Sequence, residues 1–312
     1  MRDVLTVTLN PALDLSTMAA HVVPTHKVRC DSLQRHPGGG GVNAARVIHR
    51  LGGDCTALFP VGGASGAVFQ QLLNDEGVPS ICIPISGETR ESFSVKDISS
   101  NNEFRFVMPG PLLQTSEWQA CLNRISDIDT LPKFVVASGS LPPGVPVDFY
   151  ARLNRLLKLR NVKLVLDTSG AALSLALDEG VYLCKPSLHE LSELFGKELS
   201  SESDWRHAGQ DLITQGRAQV LVLSLGERGA CLFMEGGSYF APALAVNVVS
   251  AIGAGDSFVG TMVWALTKGH DLPVAFRYGV AGATAALLST GTSLCKPEDV
   301  SSLYARVSLL RL

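Results

Sequence analysis

The sequence lacks the features by which several large classes of protein are recognised. Its seven cysteines are odd in number and never spaced as Cys-x-x-Cys, which argues against a zinc site and against a disulfide framework. No uninterrupted apolar stretch is long enough to cross a bilayer, and no secretory signal precedes the strand-like run Val4–Leu9. A net charge of −3 gives no general attraction to nucleic acid or to anionic lipid. We therefore expect a cytoplasmic protein with neither a nucleic-acid nor a membrane partner.

Two nucleotide-binding motifs are also missing. No Gly-x-x-x-x-Gly-Lys-Ser/Thr occurs, and no Gly-x-Gly-x-x-Gly follows a strand-like run. A P-loop ATPase and a dinucleotide oxidoreductase are thereby disfavoured. The seven histidines are dispersed along the chain, so the sequence predicts no metal site built on them.

Apolar residues make up 46% of the chain and fall into short strand-like runs that alternate with stretches of helical spacing. The strand-like runs include Thr56–Val61, Phe134–Ala137, Lys163–Asp167 and Val220–Ser224, and the helix-like stretches include Val42–Leu51, Asp148–Leu159 and Trp205–Gln215. This alternation predicts an α/β fold of right-handed βαβ units, with a mainly parallel sheet between two helical layers. No low-complexity linker occurs, and we expect residues 1–312 to form one domain.

Two stretches break this alternation. Residues 15–33 and 89–107 carry strand-like patterns with no helix between the strands, and Ser99–Asn102 reads as a hairpin turn. Such strands cannot join a parallel core through short connections. We expect a small separate sheet that acts as a lid over the carboxyl ends of the main strands, where α/β folds bind ligands. Because a small sheet leaves edges to protect, the sequence also predicts a homodimer through this lid.

The segment Gly253-Ala254-Gly255-Asp256 points most directly to a chemical function. Its glycines let a ligand approach the backbone, and the start of the helix-like stretch Ser257–Thr267 leaves amide N–H groups without internal partners. Such a helix start favours negative charge, and a carboxylate beside it can accept a proton. The segment is therefore typical of phosphoryl transfer to a hydroxyl group, although Asp is also an ordinary helix cap.

Other residues at the same edge of the predicted sheet could bind a sugar phosphate. The run Gly38–Gly41 offers a surface free of side chains, and Asn43 behind it can hydrogen-bond hydroxyl groups; a flexible turn before a helix is the alternative. Asp14 follows the first strand and suits a pair of sugar hydroxyls, unless it is a solvated turn residue. Basic residues of the predicted lid suggest a phosphorylated substrate, namely Lys27, Arg29 and Arg90.

Three further turns follow strand-like runs. Ser138 and Gly139 form a second flexible turn at this edge. Lys185 ends another strand, and Glu190 in the helix that follows could orient Mg²⁺ through water, since that ion keeps much of its hydration. The third turn suits the phosphates and ribose of a nucleotide, and contains Ser224, Gly226 and Gly229.

Taken together, these segments resemble the ribokinase-like (PfkB) carbohydrate kinases over essentially the whole chain. The two regions that carry the resemblance are the glycine run with Asn43 and the Gly-Ala-Gly-Asp segment. Details that resemble the bacterial members acting on fructose 6-phosphate are Lys27-Val28-Arg29-Cys30, the unbroken Gly38–Gly41 run, Phe104–Gly110 and Gly291–Cys295. The resemblance implies ATP-dependent phosphorylation of fructose 6-phosphate at its C1 hydroxyl. Tagatose-6-phosphate kinase and 1-phosphofructokinase remain alternatives; their glycine runs typically contain a lysine where Gly40 stands here.

The resemblance also implies a role for each site residue. Asp256 would be the base, and the amides of Gly253, Ala254 and Gly255 would stabilise charge on the transferring phosphoryl group. The sugar would contact Asp14, Gly39, Gly40, Asn43, Ser138 and Gly139, and its 6-phosphate would meet Arg90, Arg29 and Lys27, some from a partner subunit. ATP with Mg²⁺ would be bound by Lys185, Ser187, Glu190, Ser224, Gly226 and Gly229.

Two positions depart from the family pattern. Ser187 stands where an asparagine is usual, and Ser250-Ala251-Ile252 replaces an Asp-Thr element before Gly253. The family also suggests a K⁺ site near Ser250 and Gly291, which the loss of those oxygens puts in question. These changes keep open a second class of function, a sugar-phosphate sensor that uses the same fold without turnover.

Overall fold

Two β-sheets organise the chain in the computed structural model, which describes residues 3–312. The strands are β1 (Val4–Val7), β2 (Ala12–Ala19), β3 (Gln34–Gly38), β4 (Cys55–Val61), β5 (Ser80–Pro84), β6 (Arg90–Asp97), β7 (Glu103–Val107), β8 (Phe134–Ser138), β9 (Lys163–Asp167), β10 (Val181–Cys184), β11 (Ala218–Ser224), β12 (Gly229–Met234), β13 (Gly237–Pro242) and β14 (Leu310–Arg311). The α-helices are α1 (Gly40–Arg50), α2 (Gly63–Asp75), α3 (Thr115–Ser126), α4 (Phe149–Lys158), α5 (Gly170–Asp178), α6 (Leu188–Phe195), α7 (Glu202–Thr214), α8 (Ala254–Thr267), α9 (Leu272–Ala286) and α10 (Pro297–Tyr304).

The large sheet has ten strands in the order β14-β13-β12-β11-β10-β9-β8-β1-β4-β5. The seven strands from β11 to β5 pair in parallel, as predicted. The antiparallel edge formed by β12, β13 and β14 was not predicted. Short turns join β11 to β12 and β12 to β13, the second at Gly236 with φ +85°, so these strands return without a crossover helix. Strand β14 joins the edge from the end of the chain, after α8, α9 and α10.

Helices cover both faces of the large sheet, which explains why its strands are apolar on both sides. On β1, Val4 belongs to one buried cluster, which also contains residues of α1, α8 and α9. The adjacent Leu5 belongs to a second cluster, which contains residues of α3, α4 and α7. Neighbouring residues of a strand point to opposite faces, so the two clusters are the two cores of a three-layer α/β/α fold. The predicted fold class is confirmed.

The second sheet, called the lid sheet below, has the strand order β3-β2-β6-β7. Its hairpin of β6 and β7 turns where the sequence predicted, whereas residues 20–33 differ from the expectation. Strand β2 ends at Ala19, and β3 begins only at Gln34, so most of the predicted stretch is a connection. The inner strands β2 and β6 pair in parallel over eight residues. The connection between β2 and β3 contains Pro24 and is largely exposed.

Close helix packing places the start of α8 beside the start of α1. A Cβ added at Gly260 would lie 2.8 Å from Val47, and one added at Gly279 would lie 2.6 Å from the ring of Phe258. Glycine at these two positions therefore lets α8 lie tightly between α1 and α9. Within residues 3–312, no helix combines the length and the apolar character needed to span a membrane.

Candidate active site

The Gly-Ala-Gly-Asp segment forms the first turn of α8. Gly253 is the N-cap residue and adopts the left-handed conformation, with φ 75° and ψ 4°. A Cβ at this position would also lie 2.5 Å from Leu294, so both the backbone and the space require glycine. The helix begins at Ala254, three residues before the predicted start at Ser257, and the carboxyl group of Asp256 therefore lies in the helix's first turn.

Asp256 and Asn43 meet although they are 213 residues apart in sequence. The side-chain amide nitrogen of Asn43 donates a 2.8 Å hydrogen bond to Oδ2 of Asp256. Burial, followed by the negative charge of Asp167, raises the pKa of Asp256 to about 6. The hydrogen bond from Asn43 and the positive charge of Lys185 act in the opposite direction. The carboxylate can therefore hold a proton more readily than an ordinary Asp while remaining mostly ionised at neutral pH.

Asp14 lies on β2, on the face of the lid sheet that looks toward the large sheet. Burial raises the pKa of Asp14 to about 6, although the charges of Arg105, Arg90 and Arg46 lower it. The chain packs directly against this carboxyl group, because a Cβ at Gly38 would lie 2.0 Å from its Oδ2 atom. Two half-buried carboxyl groups with raised pKa values thus share one site.

The glycine run owes its composition to close packing rather than to free motion. A Cβ at Gly40 would lie 2.1 Å from Ser138 Oγ, and one at Gly41 would lie 2.6 Å from Thr8 Oγ1. The hydroxyl of Thr8 also accepts a 2.9 Å hydrogen bond from the amide of Val42. The start of α1 is thereby held against the carboxyl ends of β1 and β8, with little room for any side chain.

A buried ion pair lies next to the first turn of α8 and includes a residue that the sequence analysis missed. Asp167, at the end of β9, pairs with Lys185 at 3.1 Å. Burial alone would lower the pKa of Lys185, but the carboxylates of Asp167, Asp256 and Glu190 raise it. A Cβ at Gly255 would lie 3.4 Å from the Lys185 amine, so this cation sits beside the first turn of α8. Asp167 ends a strand-like run at the binding edge, the same pattern that singled out Asp14.

The backbone carbonyl of Gly139 is fixed from two sides. The hydroxyl of Tyr150 donates to it at 2.8 Å, and the hydroxyl of Thr168 donates at 3.0 Å. Gly139 itself adopts φ +112°, a conformation suited to glycine. The turn after β8 is therefore rigidly placed beside the glycine run.

Ser187 and Glu190 form a capping box at the start of α6. The amide of Ser187 donates to Oε2 of Glu190 at 2.7 Å, and the amide of Glu190 donates to the Ser187 hydroxyl at 3.2 Å. Ser187 also forms a bridge with Ser224 of β11. Among residues 3–312, no group of three or more His, Cys, Asp and Glu side chains is arranged to hold a metal ion. A Mg²⁺ ion at this surface would need most of its oxygen ligands from water and from a bound phosphate.

Gly226 and Gly229 bracket a short 3-10 helix that follows Ser224. Both have positive φ values, 60° and 112°. A Cβ at Gly229 would lie 2.1 Å from the carbonyl oxygen of Ala241. This turn is thus shaped by the adjacent antiparallel edge.

The basic residues predicted in the lid occupy different environments. Arg90 is partly buried, and its guanidinium donates to the carbonyl oxygens of Asn10 and Met108. Lys27 and Arg29 are exposed in the connection between β2 and β3. Arg105 was missed by the sequence analysis, yet strand register places it on the same face of the lid sheet as Asp14. The alternation of residues 103–107 could have identified that face.

Ser250 and Gly291 both lie against the lid sheet. The Ser250 hydroxyl donates to Glu103 at 2.8 Å and accepts from the amide of Ile252 at 3.2 Å. A Cβ at Gly291 would lie 3.1 Å from the hydroxyl of Ser16. The Ser250 oxygen therefore already has two partners within the protein.

The three-layer fold, the start of α8 with Asp256 and the polar face of the lid sheet with Asp14 together define a kinase of the ribokinase type. The family model described as "pfkB family carbohydrate kinase" matches residues 7–299, and the chain belongs to that family.

Several relatives extend over nearly the whole chain. ATP-dependent 6-phosphofructokinase isozyme 2 of Mycobacterium tuberculosis (strain H37Rv) is 43% identical over 301 residues, which is 96% of this chain and 88% of the relative. The Escherichia coli (strain K12) protein of the same name is 38% identical over 309 residues, 99% of this chain and 100% of the relative. 1-Phosphofructokinase of Bacillus subtilis (strain 168) is 32% identical over 307 residues, 98% of this chain and 99% of the relative.

Solved structures agree with the sequence comparison. Phosphofructokinase-2 from Escherichia coli in complex with substrates and products has a TM-score of 0.94 at 38% identity, covering 98% of this chain and 99% of that one. The same enzyme in complex with potassium has a TM-score of 0.93 at 38% identity, with the same coverage. The resemblance inferred from the sequence is confirmed.

Proposed function

We propose that the protein transfers the terminal phosphoryl group of ATP to the C1 hydroxyl of fructose 6-phosphate, giving fructose 1,6-bisphosphate. The observation that carries the proposal is the carboxyl group of Asp256, which lies in the first turn of α8 with a pKa raised to about 6. The relatives named 6-phosphofructokinase, at 43% and 38% identity, support the choice of reaction.

In the proposed reaction, Asp256 takes the proton from the attacking hydroxyl. Asn43 donates to Oδ2 of this residue, which leaves Oδ1 for the sugar. A pKa near 6 suits a proton acceptor that works at neutral pH. The amides of Gly253, Ala254 and Gly255 would stabilise the charge on the migrating phosphoryl group, because the start of a helix favours anions.

The substrate phosphate would meet the basic residues of the lid. Arg105 and Arg90 are the positive charges that lower the pKa of Asp14 most. Lys27 and Arg29 are exposed where an incoming phosphate could reach them. Gly40 favours fructose 6-phosphate over fructose 1-phosphate, because its contact with Ser138 leaves no room for the lysine typical of 1-phosphofructokinases. Tagatose 6-phosphate differs only in the orientation of one hydroxyl and remains the second candidate substrate.

ATP would bind between Lys185 and the turn after β11, where Ser187, Ser224, Gly226 and Gly229 lie. Mg²⁺ would arrive with the nucleotide, hold its phosphates and reach Glu190 through water. We also propose that K⁺ binds near Ser250 and Gly291, a choice supported by the potassium complex of the related structure. The use of ATP and a sugar phosphate supports a cytoplasmic location.

We propose that the protein forms a homodimer through its lid sheet. The face turned away from the site carries Phe93 and Phe106, whose ring centroids lie 6.5 Å apart. Phe106 remains 50% exposed in the single chain and Phe104 remains 38% exposed. Covering this apolar face with a second copy would bury these rings and would bring exposed residues of one subunit close to the other. A sedimentation mass equal to one chain, with sugar phosphate present, would contradict this part of the proposal.

The test measures ADP release with ATP, Mg²⁺ and each candidate sugar phosphate, in the wild-type protein and in Asp256→Asn. We expect the highest kcat/KM with fructose 6-phosphate, and a loss in kcat of roughly 10²–10⁴-fold in the variant. The matched control is Asp271→Asn, because Asp271 caps the start of α9 through the amide of Val274 and Asn caps equally well. Absence of ADP release with every sugar phosphate would favour the sensor. A near-normal kcat in Asp256→Asn would remove this residue from its role.

A further inference from the structure

Arg46 is a fully buried arginine on α1, one turn after Asn43. It is the largest fully buried side chain among residues 3–312, at 0% exposed. Burying a guanidinium is unfavourable unless its N–H groups all find acceptors. The acceptors that Arg46 contacts therefore show what holds it in place.

Its guanidinium joins four separate parts of the chain. The Nη2 and Nε atoms donate to the carboxylate of Glu76 at 2.6 and 3.0 Å. The Nη1 atom donates to the carbonyl oxygens of Pro37 and Thr292 at 3.0 and 3.2 Å. The remaining acceptor of Nη1 is Oδ1 of Asn43, at 3.1 Å. Glu76 balances the charge, and the two carbonyls fix the position of the group.

The contact with Asn43 decides which way the Asn43 amide faces. A guanidinium has donors and no acceptor, so only the oxygen end of the Asn43 amide can lie against it. The NH₂ end must then point the other way, and there it donates to Oδ2 of Asp256. With the amide reversed, an NH₂ group would face the guanidinium and an oxygen would face a carboxylate, which is unfavourable at both ends.

We propose that Arg46 is a positioning residue for phosphoryl transfer, acting through Asn43 to hold the Asp256 carboxylate in the orientation that accepts the sugar proton. The inference rests on the role proposed above for Asp256. It assigns a function to a buried ion pair that otherwise only stabilises the fold. It also explains why an arginine is needed, since a lysine amine cannot reach Asn43, Glu76 and two carbonyls from one fixed plane.

The test compares Arg46→Lys with Arg50→Lys. Arg50 lies one turn further along α1, pairs with the same Glu76 at 3.0 Å and donates to the carbonyl of Ser293, but its contacts do not include Asn43. We expect Arg46→Lys to lower kcat roughly 10- to 100-fold with little change in the KM for ATP, because small misplacements of a catalytic group have effects of this size. Arg50→Lys should stay within about twofold of wild type.

A double-mutant cycle with Asn43→Ala separates positioning from simple structural support. If Arg46 acts through Asn43, adding Arg46→Lys to Asn43→Ala should change kcat by less than about twofold. The same fold loss in both backgrounds, or wild-type kcat in Arg46→Lys, would overturn the inference. A normal kcat in Asn43→Ala alone would instead contradict the proposed site.

A second variant covers the case in which Arg46→Lys does not fold. Arg46→Met combined with Glu76→Gln removes both charges of the pair, a change that buried ion pairs often tolerate, and keeps an amide oxygen for Arg50. This variant should show the same loss of kcat and the same absence of further loss with Asn43→Ala. Full activity in the folded variant would equally overturn the inference.

Discussion

The pH dependence of kcat offers the most direct test of the paired carboxyl groups. As the proposed base, Asp256 would act only when it is deprotonated. If bound substrates leave its pKa near 6, kcat should rise with pH through this value. The ionised fraction is about 97% at pH 7.5 and about 9% at pH 5, which corresponds to a roughly tenfold fall. An Asp with an ordinary pKa near 3.8 would lose only about 6% of its activity over the same range.

Asp14 makes the expected fall steeper. Its pKa is also raised to about 6, and Asp256 contributes to that shift. If catalysis needs both carboxylates ionised, the two protonations multiply and kcat falls roughly a hundredfold between pH 7.5 and 5. Asp14→Asn should reduce this dependence to a single protonation, whatever its effect on the absolute rate.

The assay quantifies ADP directly at constant ionic strength with both substrates saturating. Saturation matters because the second ionisation of a phosphate monoester also lies near pH 6. Doubling the sugar phosphate must leave kcat unchanged, and activity must return when samples held at pH 5 are assayed at pH 7.5. A kcat that stays flat from pH 8 to pH 5 would refute the reasoning from burial and charge.

Two further predictions concern the walls of the site. Gly40→Ala forces a movement of about 1 Å against Ser138 and should lower kcat/KM roughly 10²-fold. The control is Gly237→Ala, which should stay near wild type because its added Cβ would lie 3.8 Å or more from other atoms. Equal activities of the two variants would contradict the packing argument. Lys185→Met leaves Asp167 without its 3.1 Å partner and should lower the free energy of unfolding by about 3 kcal/mol in urea denaturation. It also removes a positive charge that lowers the pKa of the proposed base, so the acid limb of the kcat profile should move to higher pH. An unchanged urea midpoint and an unchanged pH dependence of kcat would show that this ion pair affects neither stability nor the pKa of the proposed base.

Local patterns were enough to predict the main sheet. Runs such as Phe134–Ala137 are apolar on both faces because helices cover both sides, and this signal is contained within a few residues. The antiparallel strands β12 and β13 were missed because no crossover helix marks the hairpin that they form, and β14 was missed because it is only two residues long. The limits of β2 and β3 were displaced because pairing with β6, rather than strand propensity, decides where β2 ends.

The candidate site was predictable in its parts and not in its connections. Glycines and acids at strand ends singled out Asp14 and the segment before α8, and the same pattern could have found Asp167. The contact between Asn43 and Asp256 depends on α1 and α8 lying side by side, which follows from packing at Gly260. The partnership of Arg46 with Glu76 likewise needs the placement of α2.

The connections of the lid sheet to the rest of the chain restrict how this sheet can move. Strands β2 and β3 leave the large sheet after β1 and rejoin it at the glycine run, while β6 and β7 leave after β5 and rejoin before α3. The lid sheet is therefore connected to the rest of the fold by four chain segments. The parallel pairing of β2 with β6 joins the two parts of the chain that form it. Any tilt of the lid sheet would also move Asp14 and the start of α1. A substitution that weakens the pairing of β2 with β6 should therefore disturb Asp14 and the start of α1 together.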